Sequence, residues 1–258
     1  MPVPYDPLVR DADGLRTISG VALIVREGVT VADTSQVSGS IGRSGTNLTL
    51  TDALNTLVDR DGPDAKGVYR QGRNKVETLA LNYQFSKLYG ATYKDNGREE
   101  AASGVYGIAT SASDMPAHGT ARFTGYGEIS EIYKGSLGLA TIPANHIATS
   151  TVDVDFATGK TNASLQSSRQ LTVIGNKVDR ISARGMQLNG SGFSGTNVKM
   201  FRNGTRVYPL GRAATGQASG QFYGAKRNED GTLTPAEVGG VMHLSSSDGV
   251  VFGLFQAK

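Results

Sequence analysis

The chain has 258 residues, no cysteine, 34 glycines and a formal net charge of +3. The missing thiols exclude disulfides, thiolate metal ligands and a thiol nucleophile. No apolar run of about 18 residues could span a membrane as a helix, and the small charge, taken as dispersed, argues against nucleic acid. Glycine is nearly twice its usual share of about 7% without a collagen-like period, so the excess belongs to turns and bent strands.

Taken in order, residues 1–16 are rich in Pro and Asp, with a turn at Asp11–Gly14. A strand pattern covers Ile18–Val25 and a weaker one Val29–Val31. The Ser/Gly/Thr-rich tract Ser35–Asn47 reads as loop. Ala53, Leu54, Leu57 and Val58 fit one helical face behind a capping Thr51, so one short helix is expected at Ala53–Val58. From Gly67 the period turns to strands. Val76–Tyr89 holds one or two, Tyr93–Ala102 reads as a loop or hairpin tip, and Val105–Thr110 is a further strand. Ser111–Gly119 is a Pro-containing connector and marks a domain boundary.

Beyond it, Thr120–Ile132 alternates with Gly125 and Gly127 inside, and residues 133–147 form a loop-like excursion. Thr149–Phe156 alternates cleanly and turns at Thr158-Gly159-Lys160 into Asn162–Gln166. Runs follow at Leu171–Ile174, Arg180–Leu188, Val198–Phe201 and Arg206–Leu210. The end carries Gln221–Tyr223, Val238–Leu244 and Val250–Phe255, with Asp230-Gly231 and Asp248-Gly249 as turn dipeptides. Short strands at this spacing indicate an all-β sandwich or barrel. Closure of the last strand onto the one starting near Thr120 would remove an apolar edge.

Three blocks carry a resemblance. "YGIATSASDMPAHGTARFTG" (Tyr106–Gly125), "VDVDFATGKTNASL" (Val152–Leu165) and "GQFYGA…PAEVGGV…FGLF" near the end resemble, in order, the transferrin-binding-protein-B-like β-barrel family. Met242 stands where that family usually has an aromatic. The resemblance implies an all-β chain with a smaller handle-like domain over 1–114, holding the one short helix. An eight-stranded antiparallel barrel over 115–258 completes the single lobe. It further implies a non-enzymatic binding protein of the bacterial exterior or outer-membrane surface. Its partner would be a host protein or a small solute such as haem. The sequence shows neither a signal peptide nor a lipidation cysteine. A structural or adhesive subunit of a surface layer, filament or virion, with the barrel as docking module, is the alternative.

Chemistry of other kinds has little support. Gly190–Gly195 matches G-x-G-x-x-G, but a strand-like run follows where a dinucleotide fold needs a helix. Asp59, Asp61 and Asp64 surround Gly62 without the spacing of a calcium loop. No metal site is assigned. A haem iron or metal site would draw on His118, His146 and His243, and each reads more simply as an ordinary histidine. No hydrolase elbow or zinc-protease motif occurs. Because a small barrel fills its interior with side chains, binding falls to its loops. These are Tyr93–Ala102, Tyr133–Ile147 and Ala225–Pro235, with Tyr133, His146 and Arg227 as the ligand-binding candidates.

Overall fold

Alternation between two buried faces, rather than between core and water, organises the longest apolar strands. A computed structural model describes residues 15–26, 32–42, 47–79, 81–95, 98–133, 146–173 and 176–258. The expected turn at Asp11–Gly14 and strand at Val29–Val31 lie outside the described residues. The described architecture is all-β, with two closed or nearly closed antiparallel barrels.

The first sheet contains β1 (Arg16–Arg26), β2 (Ala32–Ile41), β3 (Leu48–Thr51), β4 (Thr56–Asp59), β5 (Val68–Gln71), β6 (Asn74–Thr78), β7 (Ser86–Asp95) and β8 (Arg98–Gly107). Its order is β4-β3-β2-β1-β8-β7-β6-β5. The two edge strands meet through side chains. Gln71 accepts from the Val58 amide at 2.9 Å and Asp59 from the Arg70 amide at 2.6 Å. Inside lie Ile18, Ala22, Ile24, Leu48, Leu50, Leu57 and four tyrosines: Tyr69, Tyr89, Tyr93 and Tyr106.

The second sheet contains β9 (Thr120–Tyr133), β10 (His146–Asp155), β11 (Lys160–Val173), β12 (Asn176–Asn189), β13 (Gly192–Gly195), β14 (Val198–Arg202), β15 (Thr205–Val207) and β16 (Thr215–Tyr223). After the small hairpin β17 (Lys226–Arg227) and β18 (Leu233–Thr234), it ends with β19 (Glu237–Ser246) and β20 (Gly249–Ala257). Eight strands, β9-β10-β11-β12-β13-β16-β19-β20, return to β9 and close the barrel, and β14 and β15 branch from β12. The expected closure is present: β20 pairs antiparallel with β9 from Gly249↔Tyr133 to Ala257↔Gly125. Phe222 is central to the interior, its ring 5.4–6.2 Å from those of Phe193, Phe123 and Phe156.

A third apolar cluster joins the two barrels. Val21, Leu23, Leu88 and Val105 of the first sheet pack on Tyr223, Val241, Val250, Phe252 and Leu254 of the second. β1, β19 and β20 are therefore buried on both faces, which is why they read as nearly continuous apolar runs.

Two expectations are corrected. No helix forms at Ala53–Val58. Asp52 accepts from the amides of Leu54 and Asn55, and the chain reverses into β4, with Leu57 opposite Leu50. Six residues are too few to nucleate a helix against such a turn. The one helical element among the described residues is the three-residue 3-10 turn Ala112–Asp114. Much of Ser35–Asn47 is strand, since Ser35–Ile41 pairs with β1 and β3. Its polarity misleads because just two apolar side chains, Val37 and the partly buried Ile41, meet the core. Gly39 is required there, as a Cβ would lie 1.9 Å from the Thr49 carbonyl oxygen. Tyr93–Ala102, expected as a loop or hairpin tip, is the end of the β7–β8 hairpin, paired from Tyr93↔Glu100 to Asp95↔Arg98.

Candidate functional site

The surface available for binding is set by the seam between the barrels, because the seam fixes which loops share an end. Its polar anchor is Glu237, at the start of β19 and 3% exposed. The carboxylate accepts from the amides of Gln84 (2.6 Å) and Phe85 (3.1 Å) and from the Ser86 hydroxyl (2.7 Å). Gln256 donates to the same Ser86 hydroxyl at 2.6 Å. The Glu237 carboxylate, held by three donors, favours one arrangement, because losing it leaves a buried hydroxyl and two part-buried amides unpaired.

Beside it, Tyr83 of the first unit inserts its hydroxyl into the β9–β20 ladder. It donates to the Gln256 carbonyl (2.8 Å) and accepts from the Tyr126 amide (3.3 Å). Gly125 makes room, since a Cβ there would lie 2.3 Å from that hydroxyl and from the Gln256 carbonyl oxygen. Ser19 donates to Gln221 at 3.2 Å, and Thr110 pairs through its backbone with Phe222. Further along, Asp33 of β2 acts electrostatically on His243. His243 is buried on the handle-facing side of β19, its Nδ1 3.1 Å from the Ser245 hydroxyl and its Nε2 without a partner. Desolvation lowers its pKa to about 4, against the opposing pull of Asp33. His243 is thus neutral in the fold.

The seam also sets direction. Ser19, Ser86, Gln221 and Glu237 mark one end, and Asp33 and His243 lie toward the other. β7 ends at Asp95 and β8 begins at Arg98 toward this second end, as β9 ends at Tyr133 and β10 begins at His146. Tyr133 closes β9, its backbone opposite Gly249. His146 opens β10, half-buried and opposite Ile129. Beside it Ile147 is 63% exposed, the one large apolar side chain so exposed among the described residues. Arg227 lies elsewhere. It sits exposed on β17, donating to the Gly231 carbonyl at 2.7 Å, in the hairpin between β16 and β19. That hairpin adjoins Tyr223 and Glu237, at the Gly125 end of the barrel. Gly125 and Tyr133 stand eight residues apart on β9, about 26 Å at roughly 3.3 Å per residue. Tyr133 and His146 therefore flank one connection, and Arg227 is at the opposite end.

The other motifs resolve into structure. Gly190 turns β12 into β13, and the G-x-G-x-x-G segment is a strand of the barrel wall. Asp59 holds its own turn, accepting from the amides of Asp61 (2.9 Å) and Gly62 (2.8 Å). His118 is exposed ahead of β9, far in sequence and element from His146 and His243. Among the described residues no three His, Asp or Glu side chains converge as a metal site. A cleft of about 160 Å³ opens between Ile18, Ile41, Phe85 and Tyr106, with Arg16 and Lys87 in its lining. That is below the roughly 300–1,000 Å³ of small-molecule sites, whereas an open groove of about 570 Å³ along Arg122, Asp153, Asp155 and Lys160 falls within that range. Residue reasoning missed Glu237 and Tyr83 as anchors, since their partners lie about 150 residues or more away in sequence.

Two antiparallel barrels fused along a buried seam define a paired-barrel lobe. The family described as the C-lobe and N-lobe β-barrels of Tf-binding protein B matches residues 115–258, more than half of the sequence. The chain belongs to that family. No curated protein matches it. Among solved structures, intact Ap-TbpB (N and C lobes) aligns with TM-score 0.53 and 17% identity over 93% of this chain and 45% of its own. A double mutant of the vaccine antigen transferrin-binding protein B from Haemophilus parasuis Hp5 gives TM-score 0.57 and 16% identity, over 94% and 45%. Isotype 1 transferrin-binding protein B from serogroup B Neisseria meningitidis gives 0.54 and 16%, over 93% and 43%. The chain spans less than half the length of these proteins.

Proposed function

We propose that this protein is a non-enzymatic binding protein of the bacterial outer surface, engaging a host protein of the transferrin kind. Family membership supports the class, and one observation supports the place. The ends of β7 and β8 at Asp95 and Arg98 run in the same direction along the seam as the ends of β9 and β10 at Tyr133 and His146, beside which Ile147 offers exposed apolar area. Loops held on a rigid scaffold are the usual carriers of recognition, and the Glu237 seam supplies that rigidity. In this reading Tyr133 and His146 contact the partner, and Arg227 makes a separate contact from the opposite end. Residues 1–114 act as handle and 115–258 as barrel.

Biosensor binding to immobilised transferrin tests the proposal. Shortening 95–98 or 134–145 should weaken binding about tenfold or more, roughly 1.4 kcal/mol. Unchanged affinity in both variants would move the site to the barrel wall or the Arg227 end. No binding by the intact protein would remove transferrin as the partner.

A further inference from the structure

Charge is not spread evenly along the chain. Between residues 176 and 212 stand seven lysines and arginines against one acid, Asp179, a net +6 in a chain totalling +3. The fold gathers much of this onto one outward face. Ile181, Met200 and Val207 are cross-strand neighbours whose side chains meet the barrel core. The adjacent set Arg180, Phe201 and Arg206 therefore faces away from it. Lys199, opposite Ser182, shares that outer face.

Aromatic rings support the guanidinium groups. Arg180 lies 4.3 Å from the Phe201 ring centroid, and Arg206 and Arg212 each lie 4.5 Å from that of Tyr208. Such stacking holds planar forks in place while leaving their N–H edges free to donate. Arg180 has a buried Nε without a hydrogen-bond partner. Among the described residues no ion pair joins these arginines to a carboxylate. Asp179 is occupied by the β14–β15 turn, accepting from the Asn203 amide at 2.6 Å.

We propose that this cationic ledge on β12, β14 and β15 is a docking surface for a carboxylate-rich segment of a protein partner. Pre-oriented guanidinium forks match carboxylates in bidentate geometry. Nucleic acid is disfavoured because arginine already stacks on Phe201 and on Tyr208, so bases would compete with it for those rings. A lipid surface is disfavoured because the ledge exposes no large apolar side chain to insert. The ledge shares with the reading above only the premise of a protein partner, and its position is distinct from the loops named there.

The test titrates the full chain with polyglutamate, phosphatidylglycerol vesicles and a single-stranded oligonucleotide, at low and high salt. R206S/R212S should weaken polyglutamate binding about tenfold and flatten its salt dependence. R60S/K66S, which removes the same charge from the first sheet's exposed turns, should change it less than about twofold. R206K/R212K, which keeps charge and loses the planar forks, should bind several-fold more weakly than wild type. Equal losses in the two serine variants, undiminished binding by the lysine variant, or no polyglutamate binding at all would overturn the proposal. Tighter binding to vesicles or oligonucleotide would overturn it in favour of that partner. If transferrin binds R206S/R212S normally yet fails to bind the loop-shortened forms, the ledge alone is refuted.

Discussion

Glu237 concentrates more of the seam than any other side chain, and its removal gives a direct reading of the seam's worth. Glu237→Ala would leave two amides and the Ser86 hydroxyl desolvated. The expected loss is about 3 kcal/mol, from unsatisfied buried groups rather than from a cavity. In a chain of this size that lowers the thermal midpoint by roughly 6–12 °C. His243 supplies a pH signature from the same interface. Its folded pKa of about 4 lies below the ordinary 6.5, so the unfolded chain binds its proton first as pH falls. Its contribution is therefore fully present above about pH 6.5 and is lost progressively down to about pH 4. On the order of 3 kcal/mol is at stake. Denaturant titrations from pH 7 to 4.5 should show a shallower decline in His243→Gln than in wild type; parallel curves would place the titration elsewhere. Neither role was legible from residues alone. Glu237 stands inside the recognisable A-E-V-G-G block, but nothing local reveals that its partners are Gln84–Ser86.

At the scale of elements, period-2 patterns were legible wherever one face met a core and the other met water, as in β10. They blurred in β19 and β20, where the second face meets the first sheet; the hairpin forms where expected, but its two-residue loop is Ser247-Asp248, with Gly249 already paired to Ser246. Two elements misled. β2 puts just Val37 and Ile41 against the core and looks like a loop, and the Ala53–Val58 spacing imitates a helix because Leu54 and Leu57 both lean on the first barrel's core. The closing strand is the element on which the barrel depends. Deleting Val250–Lys258 strips the partners of both β9 and β19 and exposes the seam residues Tyr223 and Val241. The truncated protein should aggregate or unfold. A monomeric, cooperatively melting truncation, seen by light scattering and circular dichroism, would show that β20 is dispensable.

For the whole molecule, the resemblance of three short blocks carried the family and the barrel, whereas the joining of the two units was hidden. Joining depends on faces that composition cannot distinguish from core, such as Val21 and Leu23 against Val250 and Phe252. It couples the two barrels through a shared apolar seam, so they should lose their structure together. Differential scanning calorimetry of the full chain and of Glu237→Ala reads this directly. A single transition is expected, shifting as a whole to lower temperature in the variant. Two transitions in the wild type, with one left unmoved by Glu237→Ala, would contradict a rigid lobe and return the handle and barrel to separate units.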